Sequence, residues 1–234
     1  MALYSYHKKM PPLIKRLAPY ISILLILTGV SLIILVLYPI VTFELFYAHK
    51  FQTVISPVAD LEENISGKLT RAIGSTFADL TEARLWFPQA TPIRKMTDLT
   101  NYTLSIAKLK IDKAKVIVGG EDLSKSLIHF TGPVPGSVGN PVIFGHSTLL
   151  LFYKPTDYKA IFSKLPDLEI GDKIKVEVDN VNFSFKVYQM YITGASDLKV
   201  LSQETSNEEL TLVTCVPPGT YFKRFIVKSK LERI

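Results

Sequence analysis

Lys173-Ile174-Lys175-Val176-Glu177-Val178-Asp179-Asn180-Val181-Asn182-Phe183-Ser184-Phe185-Lys186-Val187 decides the fold. Apolar residues take every second position from Ile174 to Val178, Asp179-Asn180 supplies a two-residue turn, and alternation resumes through Phe183, Phe185 and Val187. Successive side chains of a strand point to opposite faces, so a period of two specifies a hairpin with one buried face. Asp and Asn tolerate the left-handed backbone that such tight turns require. The same texture extends in both directions. Leu104 to Ile111 alternates, Val116-Ile117-Val118 stops at Gly119-Gly120, and Val142-Ile143-Phe144 runs into Gly145. Leu210-Thr211-Leu212-Val213 and Phe225-Ile226-Val227 complete the set. Seven or eight strands within about 130 residues, separated by turn signals, predict an all-β barrel or sandwich. Asp157 to Leu165, with Ile161, Phe162 and Leu165, is the one short helix expected inside it.

N-terminal to this region the period changes. Leu17 to Phe43 contains no charged side chain. That run exceeds the roughly 20 residues needed to cross a bilayer and the 7–15 of a signal-peptide core. Leu37-Tyr38-Pro39-Ile40-Val41 offers no small-residue cleavage site, so an uncleaved signal anchor over 18–43 is expected. Lys8, Lys9, Lys15 and Arg16 precede it, which orients a basic tail, 1–17, to the cytoplasm and the remainder outside a cell membrane crossed once. Val54, Val58, Leu61, Ile65 and Leu69 fall at helical spacings and predict a helical stalk within a linker over 44–98. Trp86-Phe87-Pro88 and Pro92 mark its boundary with the β domain, 99–234.

The formal net charge of +6 belongs mostly to the short tail, where those four cations sit. The excess therefore reports topology and gives no reason to expect nucleic acid as a partner.

Cys215 is the only cysteine, so an intramolecular disulfide and a multi-cysteine metal site are both excluded. Buried filler, intermolecular linkage and reactivity remain. A nucleophilic thiol needs a base or positive surroundings. Two neighbours in the pattern could provide them. His146 follows strand-like Val142-Ile143-Phe144 and a glycine, at a strand end where a side chain can face a cleft. Arg224 stands nine positions after Cys215 on the next expected strand, where its planar guanidinium could stabilise an oxyanion, with Lys223 on the opposite face. His129, in apolar Leu127-Ile128-His129-Phe130, is the rival base and reads more readily as a packed strand residue.

Thr211-Leu212-Val213-Thr214-Cys215 followed by Arg224 resembles the Thr-Leu-x-Thr-Cys…Arg signature of the sortases, membrane-anchored cysteine transpeptidases. Pro135-Gly136 through Gly139-Asn140 to Gly145-His146 is similar to that family's Pro-Gly-x-x-Gly-Asn…Gly-His segment, and Gly171-Asp172 matches a further turn. The resemblance covers about Tyr102 to Ile234. It implies an eight-stranded β-barrel with Cys215 as nucleophile, His146 as general acid/base, Arg224 as oxyanion or substrate donor, and Thr214 orienting substrate and site. It further implies that a Leu-Pro-x-Thr-Gly-like sorting signal of a secreted surface protein is cleaved after threonine through a thioacyl enzyme. An amine from a cell-wall precursor or a pilin lysine would resolve that intermediate. In the family a minor thiolate–imidazolium population is thought to be active.

Two departures bear on subclass. The charged end Lys228 to Ile234 disfavours a second, C-terminal anchor and makes the chain similar to the single-anchor classes D and E. The Asp-Pro-aromatic lid motif of pilin-polymerising members is absent; Leu85-Trp86-Phe87-Pro88 is a loose substitute that could contact the cleft, although Trp86 reads more readily as packing the linker against the domain. Leu198, Val200 and Leu201, in the loop before the cysteine strand, are candidates for lining a peptide groove or for core packing. No cofactor or metal is expected. Glu121, Asp122, Asp167 and Glu169 are loop carboxylates of the type that holds calcium in some relatives, but they form no dense ligand run. A hydrolase using the same Cys-His-Arg set, and a non-catalytic peptide-binding domain, remain as alternatives.

Overall fold

A computed structural model describes residues 12–46, 50–53, 81–88, 90, 99–203 and 206–232. The expected stalk pattern from Val54 to Leu69, and Pro92, lie outside them. The chain divides into two compact units, 1–41 and 42–234. The first consists of most of a single helix, α1 (Pro12–Phe46), whose Leu17–Leu35 stretch is long and apolar enough to cross a membrane. Its large apolar side chains, Leu24 to Leu27 among them, are exposed.

The described residues of the second unit form nine strands: β1 (Gln52–Thr53), β2 (Asn101–Ile106), β3 (Ile111–Val118), β4 (Leu127–Thr131), β5 (Val142–Phe144), β6 (Lys173–Val178), β7 (Val181–Thr193), β8 (Glu209–Val216) and β9 (Lys223–Leu231). Their order is β1-β7-β6-β2-β3-β4-β5-β8-β9, and a further β7–β9 pairing closes the last eight into a barrel, with β1 added in parallel outside the ring. Closure leaves those eight strands without a free edge. The β6–β7 hairpin forms as its alternation requires, with Asp179 and Asn180 both at positive φ (47° and 66°).

The barrel has two apolar layers. Side chains such as Leu104, Ile143, Leu212, Phe225 and Val227 fill its interior. Residues of opposite parity on the same strands, Phe144, Val213, Cys215 and Ile226, point outward into a second buried cluster completed by Trp86, Phe87 and Val200. This second layer explains why every residue of β8 is buried. A strand covered on both faces reads as a continuous apolar run.

Two sequence expectations are corrected. The alternating run Leu104 to Ile111 is two strands, because the chain turns through a 3₁₀ segment (Ala107–Leu109) capped by Lys110 in the left-handed region, φ 56°. That turn contains no Gly, Asn or Asp to announce it. Asp157 to Leu165 is a series of tight turns instead of an α-helix, with only Leu165–Asp167 forming a 3₁₀ segment. Its backbone bonds run i to i+3, as in Ala160 N–H to Asp157 O and Ser163 N–H to Ala160 O. The N–H of Phe162 is diverted to the carbonyl of His146, 3.0 Å away.

Candidate active site

Cys215 and Arg224 face each other directly across the antiparallel β8–β9 pair. Opposed residues share one side of a sheet, so the thiol and the guanidinium both belong to the outer face. Lys223, one position earlier, is exposed, whereas Arg224 is only 3% exposed. Strand parity thus selects the arginine.

The end of β5 brings His146 to the same place. Gly145 N–H donates to Val213 O (3.1 Å), Thr214 Oγ1 donates to Gly145 O (2.8 Å), and Ser147 Oγ donates to Cys215 O (2.7 Å). The residues on both sides of His146 are therefore tied to the cysteine strand. Gly145 is fixed by packing, because a Cβ there would lie 2.3 Å from the Phe162 ring. Phe162 and Ser163 in turn support the far side, through Phe162 N–H to His146 O (3.0 Å) and Thr148 N–H to Ser163 Oγ (2.8 Å).

A short 3₁₀ strap, Ala83–Trp86, lies over this constellation. It is held to the β3–β4 connection by a bridge between Glu82 and Asp122, by Ala83 N–H to Glu121 O (2.8 Å) and by an Arg84–Glu121 ion pair (2.9 Å). Trp86 is fully buried, stacks on Phe144 at 5.3 Å between centroids and meets the His146 ring edge to face at 6.0 Å. Its carbonyl accepts a hydrogen bond from Arg224 Nη2 (3.0 Å), and its ring lies under the guanidinium at 5.5 Å. Trp86 thus packs against the domain through its ring and touches Arg224 with its main chain. Arg224 Nη1 donates to Tyr221 O (3.0 Å), while buried Nε has no hydrogen-bond partner among the described residues.

Burial pushes the Cys215 thiol up, and the nearby Arg224 charge offsets this only partly. The thiol is accordingly neutral and covered in this conformation, which is 1% exposed at the cysteine. His129 lies elsewhere, on β4. Its Nε2 donates to Thr131 O (3.0 Å), leaving Nδ1 to accept from the buried Tyr102 hydroxyl (3.2 Å). Desolvation lowers its pKa to about 4, outweighing the backbone bonds that favour the charged ring. It is a neutral core histidine at pH 7.

The remaining candidates separate. Thr214 is fully buried on the side of β8 opposite the thiol, and its hydroxyl donates to the Gly145 carbonyl beside His146. Val200 is also fully buried, in the cluster that holds Cys215, the core-packing alternative of the two expected for it. Leu201 packs partly against the same cluster and Leu198 is 38% exposed. Sequence reasoning missed Ser147 and Asn140. Ser147 gave no signal beyond following the histidine, whereas Asn140 lies within the Gly139-Asn140-Pro141 motif.

Among the described residues no group of three or more His, Cys, Asp and Glu side chains is arranged to hold a metal ion. Three of the four loop carboxylates pair with cations. Asp122 meets Lys125 (2.7 Å), and bonds from Lys125 and Ser124 hold its carboxyl down at about 2. Glu121 meets Arg84, and Glu169 meets Lys108 (3.0 Å).

The chain is similar to known proteins in sequence and in fold. A sortase D of Bacillus subtilis (strain 168) is 27% identical over 128 residues, 52% of this chain, and the match spans 59% of that relative's length. The sortase A of Corynebacterium diphtheriae superposes with a TM-score of 0.50 at 23% identity, covering 60% of this chain and 64% of that one. Sortase C-1 of Actinomyces oris superposes with a TM-score of 0.51 at 17% identity, covering 65% and 94%. The last two likenesses concern the fold. The sortase-domain family model matches residues 102–232, more than half of the sequence, and the chain belongs to the sortase family.

Proposed function

We propose that this chain is a cysteine transpeptidase that cleaves a sorting-signal peptide and transfers the acyl part to an amine, anchoring surface proteins to the cell envelope. The observation that carries the reading is the direct opposition of Cys215 and Arg224, with His146 bracketed onto the same strand by Gly145 and Ser147. In the first half-reaction, Cys215 Sγ transfers its proton to His146 and attacks the scissile carbonyl carbon. Arg224 donates hydrogen bonds to the developing oxyanion, with its unengaged Nε as a donor already desolvated for that purpose. The C–N bond breaks and His146 protonates the departing amine, leaving a thioester. In the second half, an incoming amine gives its proton to His146, attacks the thioester and releases the thiolate. One acid/base thus serves both directions.

Within this reading the strap must move before a peptide carbonyl can reach Arg224, because the Trp86 carbonyl occupies Nη2. The substrate is an extended Leu-Pro-x-Thr-Gly-like segment cut after threonine, and the amine is supplied by a cell-wall precursor or a pilin lysine. Residues 18–43 anchor the chain in the membrane with residues 1–17 cytoplasmic and the barrel outside, where both reactants are found. Product analysis by mass spectrometry tests the reading, using the full chain in detergent with such a peptide, with and without a glycine or lysine-type amine, and a Cys215→Ala control. Amine joined to the new carboxyl end, absent from the control, is expected. Free acid alone at saturating amine would make the protein a hydrolase.

A further inference from the structure

The loop between β7 and β8 is suspended at two points that are in register with the reactive strands. At its start, Thr193 pairs with Arg224 across β7–β9 and its hydroxyl donates to Asp197 (2.7 Å). Asp197 also accepts from Lys199 N–H (3.2 Å), starting the 3₁₀ turn Leu198–Leu201. At the end of that turn the support is Asn140, a residue just before β5 that is 1% exposed. Its Oδ1 accepts from Thr211 Oγ1 on the cysteine strand (2.6 Å). Its Nδ2 reaches the carbonyls of Ser202 (3.2 Å) and Val200 (3.4 Å). Its own peptide groups pair with the Gln203 amide, N–H to Oε1 (3.0 Å) and C=O from Nε2 (2.8 Å).

The chemistry of these contacts fits a carboxamide and little else. One acceptor faces a hydroxyl and two donors face carbonyls, which is the hydrogen-bonding inventory of asparagine. A carboxylate of the same shape would point oxygen at the Val200 and Ser202 carbonyls. Val200, held in this way, is the residue through which the turn joins the buried layer around Cys215, and it leaves Leu198 and Leu201 at the rim.

We infer that Asn140 is a positioning residue that fixes the Leu198–Leu201 turn beside the Cys215 face and thereby sets the affinity for the apolar part of a peptide substrate. The inference rests on the peptide-transfer reading for its consequence, but the positioning itself can be measured separately. In Asn140→Asp and in Gln203→Ala, the KM for a sorting-signal peptide should rise about tenfold with kcat within about twofold, as expected when a few hydrogen bonds remote from the reacting atoms are lost. Amide exchange at 198–201 should accelerate in both. Thr211→Ser, which keeps the hydroxyl, should leave KM and exchange as in the wild type, whereas Thr211→Val should behave like Asn140→Asp. Gln203 is exposed, so its variant should fold even if Asn140→Asp does not. Unchanged exchange at 198–201 in Gln203→Ala, or a fall in kcat at constant KM, would overturn the inference. If the wild type transfers no peptide at all, the functional reading fails, and exchange alone then decides whether Asn140 and Gln203 hold the turn.

Discussion

Replacing Trp86 by alanine should free Cys215. The tryptophan side chain holds the strap down through complete burial, a stack on Phe144 and a guanidinium contact with Arg224. Burial of a large apolar side chain contributes about 1.5–3 kcal/mol, the aromatic pair about 0.5–1.5 and the cation–π contact about 0.5–2. These terms overlap and the Arg224 bond to the Trp86 carbonyl survives the change, so about 3 kcal/mol of the closed state's advantage is lost. Each 1.4 kcal/mol is a factor of ten, which raises the open population about a hundredfold. A thiol that is covered and neutral when closed reacts only when open. The rate of alkylation of the single cysteine by iodoacetamide, followed by intact mass at pH 7, should therefore rise about a hundredfold. The barrel interior does not include Trp86, so cooperative unfolding of the barrel should persist. An alkylation rate within about threefold of the wild type would refute the assignment of the strap as the cover.

Two other perturbations probe separate parts of the account. Arg224→Lys retains the charge but loses the planar fork, so kcat for peptide transfer should fall about 10²–10³-fold, and a loss under about fivefold would remove Arg224 from oxyanion stabilisation. His129 has a folded-state pKa of about 4 against an ordinary value of 6.5, so the unfolded chain binds the extra proton between those limits. Its neutral form supports the fold fully above pH 6.5, and that support declines as pH falls towards 4, by about 2.5 kcal/mol at pH 4.5. Denaturant unfolding at pH 7 and pH 4.5 should show wild type losing about that much more stability than His129→Gln, and equal losses in the two proteins would contradict the buried neutral histidine.

Much of the barrel was legible because strand parity is a local property. The β6–β7 hairpin announced itself through alternation and two turn residues that accept positive φ, and the pairing of Cys215 with Arg224 followed from two adjacent strands. The β2–β3 turn was not legible, because Lys110 adopts the left-handed conformation without any turn-forming residue beside it. The helix expected over Asp157–Leu165 failed for a non-local reason: Phe162 packs against Gly145 and gives its backbone donor to His146, which helical periodicity cannot reveal. Groove lining and core packing could not be told apart for Val200, because the second buried layer outside the barrel exists only when the strap, β5, β8 and the β7–β8 loop come together. The contacts of Asn140 and Ser147 were hidden for the same reason, since their partners lie roughly 70 residues away in sequence at Thr211 and Cys215, although Asn140 stood within a quoted motif.

If Cys215 carries the acyl group between two amines, the adduct should be caught by intact and peptide-level mass spectrometry of the full chain quenched in acid seconds after mixing with a sorting-signal peptide. The expected adduct has the mass of the peptide's acyl half, lies on the tryptic fragment containing Cys215, is removed by hydroxylamine and is discharged by added amine. Cleavage of the peptide with no adduct on Cys215 at any time, or an adduct that forms equally in Cys215→Ala, would contradict that role.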